Sequence, residues 1–297
     1  MKEKKLSFSN KKTFAFVVIL CASAALILSL VSEGLKTSQE NAKKLYRSKQ
    51  LLLAARLIGY EGHFLLDGKP AIFDAQTKKL LATKENPPPK ATSEAILSLV
   101  EERILPRLTD EKGKVYTFQE AGLDFEIYLQ THEKLGYAHL PYKLVYFVTE
   151  DPPSPKPYGY ILPVNGYGLW DAIYGYLGLK DNGDTVLGMT WYEQKETPGL
   201  GGEIALPEWQ RQFFDKVIFQ KNSQGNTDVQ SAPLGIKVVK STVKETYGNR
   251  PIADSAVDGI PGATITVTGV NDALRTSLAP YRPFLMRAYN GEVRIHE

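Results

Sequence analysis

From Thr13 to Ser32 the chain is uncharged and mostly apolar, bounded by Lys12 on one side and Glu33 on the other. A helix rising about 1.5 Å per residue crosses a hydrocarbon core of about 30 Å in roughly twenty residues, so residues 13–32 predict a transmembrane helix. Side chains such as Val17, Ile19, Leu20, Leu26, Ile27 and Leu28 each favour insertion by about 0.3–0.6 kcal/mol near the helix centre. They outweigh the few serines, whose hydroxyls bond back to helix carbonyls. A cleaved signal peptide is the competing reading. Against it, the apolar run continues well past Ala22-Ser23-Ala24-Ala25, and Leu20 precedes Cys21 where a lipoprotein signal wants a small residue. No second apolar run of membrane length follows, which reads as single-pass.

Beyond the run the pattern becomes amphipathic. Leu45, Leu51, Leu52, Leu53, Ala54 and Leu57 predict a juxtamembrane helix over 35–57. Residues 58–90 read as short extended pieces and turns, closed by Asn86-Pro87-Pro88-Pro89. A helix is expected over 92–105, with Ser93 as N-cap and Pro106 as its stop. The texture then changes to strands. Leu144-Val145-Tyr146-Phe147-Val148 is one, and Asp151-Pro152-Pro153-Ser154-Pro155 interrupts before a second over 158–164. Two more fall within 167–179 and 185–192, separated by Lys180-Asp181-Asn182-Gly183-Asp184, where Asn-Gly tolerates positive φ at both central positions. An amphipathic helix over 209–218, a strand over 236–242 and a helix over 266–278 complete the reading. This mixed order predicts an α+β fold: a single N-terminal transmembrane helix, then an exported domain with antiparallel strands and flanking helices.

Charge fixes the orientation. Lys2, Lys4, Lys5, Lys11 and Lys12 precede the apolar run, which puts residues 1–12 in the cytoplasm as a basic tail and the remainder across the membrane. The net charge of +3 is owed to those lysines, so no nucleic-acid face is expected. One cysteine (Cys21) and four scattered histidines (His63, His132, His139 and His296) give no metal-ligand spacing. No metal site or disulfide is predicted.

Two stretches carry candidate chemistry. Asp258-Gly259-Ile260-Pro261-Gly262-Ala263-Thr264 is a turn ending in a hydroxyl, just before an apolar β-branched run. Small residues beside Thr264 leave it open to a modifying enzyme. Glu196-Thr197-Pro198-Gly199-Leu200-Gly201-Gly202 is a glycine loop. It either offers backbone N–H groups to a ligand or simply turns. Trp170, beside Gly168-Leu169, either stacks on a planar ring or belongs to the core. Nothing matches G-x-G-x-x-G between a strand and a helix.

In their order along the chain, Gly166-Tyr167-Gly168-Leu169-Trp170, Tyr174-Gly175-Tyr176, Glu196 to Gly201 and Asp258 to Thr264 resemble the FMN-binding domain of the NqrC family, one component of the sodium-translocating NADH:quinone reductase. The resemblance runs over about 158–278. The final segment is similar to the attachment motif D-x-x-[ST]-G-A-T, whose last threonine carries FMN through a phosphoester bond. Two positions depart from it: Pro261 stands where the motif has Ser or Thr, and Gln194-Lys195 where relatives often have His-Gly. The G component of the Rnf electron-transport complex shares the threonine motif. An anchored periplasmic flavin-binding or sensor module is a further alternative.

The resemblance implies residues 33–150 as juxtamembrane helix and N-terminal periplasmic part, and 151–297 as the FMN-binding domain. It implies covalent FMN on Thr264, placed there by a periplasmic flavin transferase using FAD and Mg²⁺. Asp258, Gly262 and Ala263 would surround the attachment point, with Asp258 serving either the transferase or the turn itself. Leu169, Trp170, Glu196, Thr197, Gly199, Leu200 and Gly201 would contact the cofactor. No catalytic residue is assigned. The implied role is an electron relay between the components of a bacterial inner-membrane complex that couples NADH oxidation and quinone reduction to sodium export.

Overall fold

The computed structural model describes residues 10–150 and 154–295. Lys2, Lys4, Lys5, His296 and the stretch Asp151-Pro152-Pro153 lie outside the described residues. Two compact units are present, 1–47 and 48–297.

Helix α1 is Asn10–Ala54, a single element where the sequence predicts two helices. The Glu33-Gly34 junction does not break it, because one glycine in a helix costs only about 1 kcal/mol relative to alanine. Among the described residues α1 is the helix long and apolar enough to cross a membrane, with a mean hydropathy of 2.8 in its most apolar window and none of that window buried. Ser23 Oγ donates to Ile19 O at 2.8 Å, so this serine hydroxyl is satisfied within the helix. At its far end Leu51, Leu52, Leu53 and Ala54 are buried. Arg56, with φ 56°, turns the chain away, so the helix ends at Ala54 rather than Leu57.

Strands β1 (Phe64–Leu66), β2 (Lys69–Asp74) and β3 (Lys79–Ala82) form an antiparallel meander. Helix α2 (Ser93–Arg103) follows. Its N-cap is Thr92, one residue before the expected Ser93, since Thr92 Oγ1 accepts from Ala95 N at 3.2 Å. Ile104 and Leu105 belong not to that helix but to β4 (Ile104–Thr109), and Pro106 sits inside the strand instead of stopping a helix. The next strand, β5 (Val115–Tyr116), pairs only with Leu108 and Thr109. Pro106 therefore has an open edge where a missing N–H costs no ladder bond.

Helix α3 (Phe125–His132) precedes β6 (Lys143–Val148), β7 (Gly159–Tyr167), β8 (Ala172–Lys180) and β9 (Val186–Glu193). Strands β4 to β9 make one antiparallel sheet ordered β5-β4-β6-β7-β8-β9. In the β8–β9 turn only Gly183 has positive φ, 61°. Asn182 acts through its side chain instead, Oδ1 accepting from Asp184 N and Thr185 N at 3.0 Å each.

The expected helix over 209–218 shortens to α4 (Pro207–Gln210) followed by a tight turn at Arg211–Phe213. Asp215, with φ 58°, ends it, and Val217 bridges to Thr185 as extended chain. Buried Trp209 and Phe213 supplied the helical pattern; tertiary packing satisfies them without a long helix. The strand expected over 236–242 contracts to β10 (Lys237–Val238), paired in parallel with β11 (Ala256–Val257) on the far side of α5 (Val243–Tyr247). Helix α6 runs Thr264–Leu278, two residues earlier than expected, and α7 (Arg282–Tyr289) closes the fold.

The core lies on one face of the sheet, where Tyr160, Leu162, Val164, Leu177 and Trp191 meet Val270, Leu274, Leu278 and Phe284 from α6 and α7. On the opposite face Gly178 and Gly188 are cross-strand partners, and a Cβ on Gly188 would stand 2.7 Å from Leu53 O. That glycine pair makes room for the end of α1. Helix α6 is bolted to β7 by Ser277, whose Oγ accepts from Asn165 N at 3.1 Å and donates to Asn165 O at 3.2 Å. Near the other end of α6, Gly269 packs directly under the carbonyl of Tyr167. These contacts set where the first turn of α6 lies relative to the loop after β7.

Candidate functional site

The site grows from the turn into α6. Ala263 N donates to Ile260 O at 3.1 Å, closing a four-residue turn with Pro261 second and Gly262 third. Gly262 has φ 77°. Proline at the second position and a positive-φ glycine at the third are the preferences of a type II turn. Pro261, the residue that departs from the motif, thus stiffens the turn it occupies. Thr264 is the first residue of α6 and is exposed, beside the buried Ala263 N-cap. No side chain caps the helix, so its first-turn N–H groups lack a side-chain acceptor, an arrangement that favours an anion.

Asp258 is committed to the fold on this side. Its Oδ1 accepts from Val243 N at 2.6 Å, its N–H donates to Gln212 Oε1 at 2.9 Å, and its carbonyl accepts from Trp209 Nε1 at 3.0 Å. Of the two roles open to Asp258, these bonds favour shaping the turn. Gly259, packed against Val239 O, leaves no room for a side chain there.

The loop after β7 comes to the same place. Leu169 and Trp170 are 50% and 67% exposed, so neither is a core residue. Trp170 Nε1 donates to Thr197 Oγ1 at 3.2 Å. Leu200, 43% exposed, reaches the turn, since a Cβ on Gly262 would lie 3.0 Å from Leu200 Cδ2. Ile265 adds another exposed apolar side chain next to Thr264. An open apolar face beside a hydroxyl on a helix N-terminus is what a planar ring with a phosphate tail would fit.

Of the two roles open to the glycine loop, its hydrogen bonds favour the turn. Gly199 N donates to Glu203 Oε1 at 3.1 Å, and Leu200 N and Gly202 N donate to Thr197 O at 3.1 and 2.9 Å. These N–H groups hold the loop's own shape and are not presented to a ligand. Gly199, with φ 77°, supplies the bend that carries Leu200 outward.

Glu196 is buried and joins the pieces. Its Oε1 accepts from Trp170 N at 3.0 Å and its Oε2 from Leu169 N at 3.1 Å; Oε2 also accepts from Thr266 Oγ1. Burial alone would raise its pKa. The hydrogen bonds from Thr266 and the backbone of Trp170, Leu169 and Asp171 outweigh that and hold it below the ordinary value. Gln194 and Lys195, at the second departure from the motif, serve this junction. Gln194 Oε1 accepts from Glu196 N at 2.5 Å, and Lys195 pairs with Asp171. That ion pair is exposed and contributes little to stability.

Known proteins share this arrangement of segments. Residues 168–279 match the FMN-binding domain model. The NqrC component of the Na(+)-translocating NADH-quinone reductase of Chlamydia pneumoniae is 40% identical over 93% of this chain and 91% of its own length. The chain belongs to the NqrC family. The Chlamydia caviae member is 35% identical over 96% of this chain and 95% of its own length. Among solved structures, the NqrC protein of Parabacteroides distasonis aligns with TM-score 0.54 and 23% identity, covering 84% of this chain and 96% of that one. That likeness speaks for the fold alone.

Within this NqrC-family chain, Thr264, Gly262, Ala263, Leu169, Trp170, Thr197, Leu200 and Gly201 converge, with Glu196 beneath them. Asp258 supports the turn from behind, and the exposed Gly199 supplies the bend before Leu200. Two contributors escape a reading of the sequence: Thr266 and Gly269. Gly269 leaves a signal, a glycine inside a helical pattern, which marks close approach of another backbone. Thr266 leaves none, because a threonine in a β-branched run looks like any other.

Proposed function

We propose that this chain carries FMN covalently, through a phosphoester bond to Thr264 Oγ1, and relays electrons between the components of a bacterial inner-membrane NADH:quinone reductase that exports sodium. The observation that carries the reading is the exposed Thr264 hydroxyl at the first position of α6, flanked by the exposed Leu169, Trp170, Leu200 and Ile265. The small Gly262 and Ala263 leave the hydroxyl open to a periplasmic flavin transferase that uses FAD and Mg²⁺. The uncapped N–H groups of α6 would hold the phosphodiester charge. Trp170, Leu169 and Leu200 would lie along the ring and exclude water from one side. Bound there, the flavin would supply the electron-accepting and electron-releasing chemistry, and the protein its position and potential. The basic amino-terminal tail would keep the start of α1 cytoplasmic and residues 33–297 periplasmic. Family membership and the match to the FMN-binding domain support the reading.

Co-expression with a flavin transferase, followed by a denaturing gel under ultraviolet light, tests it. A flavin-fluorescent band at the mass of the chain is expected, and Thr264→Ala removes it. A band of undiminished intensity in that variant would overturn the attachment at Thr264.

A further inference from the structure

Three segments far apart in sequence meet at the carboxylate of Glu196: the loop after β7, the glycine loop and the first turn of α6. Each oxygen takes a backbone donor from the Trp170 loop, Trp170 N at 3.0 Å and Leu169 N at 3.1 Å, while Oε2 also takes Thr266 Oγ1. The surroundings leave no space for anything else. A Cβ on Gly168 would lie 2.7 Å from Glu196 Cδ, and one on Gly201 would lie 2.7 Å from Glu196 Oε2 and also press on Thr266 Oγ1. Glutamate is suited to this task because an ionised carboxylate is acceptor-only and can take several donors at once. Its depressed pKa agrees with that geometry.

Glu196 faces inward while Trp170 and Leu169 face out. The sequence groups all three as cofactor contacts, yet Glu196 is the residue underneath. We infer that Glu196 is a positioning residue: it clamps the Leu169–Trp170 backbone to the helical turn bearing Thr264, and so fixes the ring-binding face at a set distance and angle from the attachment hydroxyl. This rests on the flavin reading for its consequence, but the clamp itself does not depend on it. A tethered ring has a freely rotating linkage, so its orientation must come from the surface against which it lies. A clamp spanning both parts is the device that provides it. The fixed negative charge beneath that surface also favours the less reduced ring, because reduction adds negative charge.

The test uses the full chain in detergent and two variants. Glu196→Gln keeps the shape but leaves one oxygen acceptor where there were two. Thr266→Val keeps the charge and removes the hydroxyl donor. In flavin-free protein, Glu196→Gln loses about tenfold or more of the amide-exchange protection at Leu169 and Trp170, as expected for donors losing a charged acceptor. In protein loaded by the transferase, both variants change the visible circular dichroism of the flavin. The midpoint potential moves positive in Glu196→Gln and far less in Thr266→Val. Wild-type exchange rates at Leu169 and Trp170 in Glu196→Gln, or wild-type dichroism in both loaded variants, would overturn the clamp. If Glu196→Gln does not fold, Thr266→Val alone carries the dichroism arm. Failure of the flavin reading shows separately, as a wild-type chain with no fluorescent band while the exchange arm still reports.

Discussion

Gly262 and Trp170 show how differently neighbouring residues serve one site. Gly262 must be glycine: its φ of 77° lies in the region L side chains avoid, and a Cβ would approach Leu200 Cδ2 to 3.0 Å. Gly262→Ala is expected to lower the unfolding free energy by about 1–2 kcal/mol, read as a lower denaturant midpoint with unchanged slope. Trp170 is two-thirds exposed, so Trp170→Ala should leave stability within about 0.5 kcal/mol. On the flavin reading the same variant should raise the fluorescence yield of a loaded flavin, because the indole would no longer lie beside the ring. A large stability loss with no change in fluorescence would show Trp170 to be a packing residue. The turn glycines and Thr264 were legible in the sequence, since their backbone demands are local. The service of Pro261 to a type II turn is visible only through the bond from Ala263 N to Ile260 O.

At the scale of elements, α6 is held at both ends and along its side. Asn271 bonds sideways to β10, its Oδ1 accepting from Val238 N at 2.7 Å and its Nδ2 donating to Val238 O at 3.0 Å. A side-chain amide here stands in for a neighbouring strand. Asn271→Ala would strand both groups of the buried Val238, and a cost of about 2 kcal/mol is expected in equilibrium unfolding. Helix α5 starts on a capping box between Thr242 and Glu245, with Val243 N also held by Asp258 Oδ1. Thr242→Ala should cost about 1 kcal/mol, with the loss appearing as faster amide exchange within 243–247. The sheet strands and α6 were readable from their apolar runs. The helix expected over 209–218 is realised only as α4 and the turn after it, because Asp215 leaves the helical region and Val217 bridges to Thr185. Strand β4 was hidden by Pro106, which sequence logic treats as a stop and an open sheet edge tolerates.

For the whole molecule, pH reaches the site through Glu196. Its folded pKa is depressed from 4.5, so its ionised form contributes stability that is complete above that value and lost as pH falls through the depressed one. Acid unfolding of the wild-type chain should therefore be steeper in this range than that of Glu196→Gln. Parallel curves for the two, followed by tryptophan fluorescence, would remove Glu196 from the acid response. Loss of the same carboxylate also loosens the Trp170 loop, so a loaded chain should show its flavin dichroism changing over the same pH interval.

Local chemistry is enough to fix a membrane-length apolar segment, an α+β order of elements and a hydroxyl on a glycine-supported turn. Each depends on residues adjacent in the chain, whose patterning and backbone preferences act over a few positions. Position was decided by long-range packing. Gly178 and Gly188 receive the end of α1, Gly269 passes under Tyr167, and Glu196 draws residues 168–171 to Thr266. These contacts join residues from tens to more than a hundred positions apart, through small side chains and one buried carboxylate. A local pattern can mark one side of such an encounter, as Gly269 does, but not its partner, because the energy exists only once both are in place.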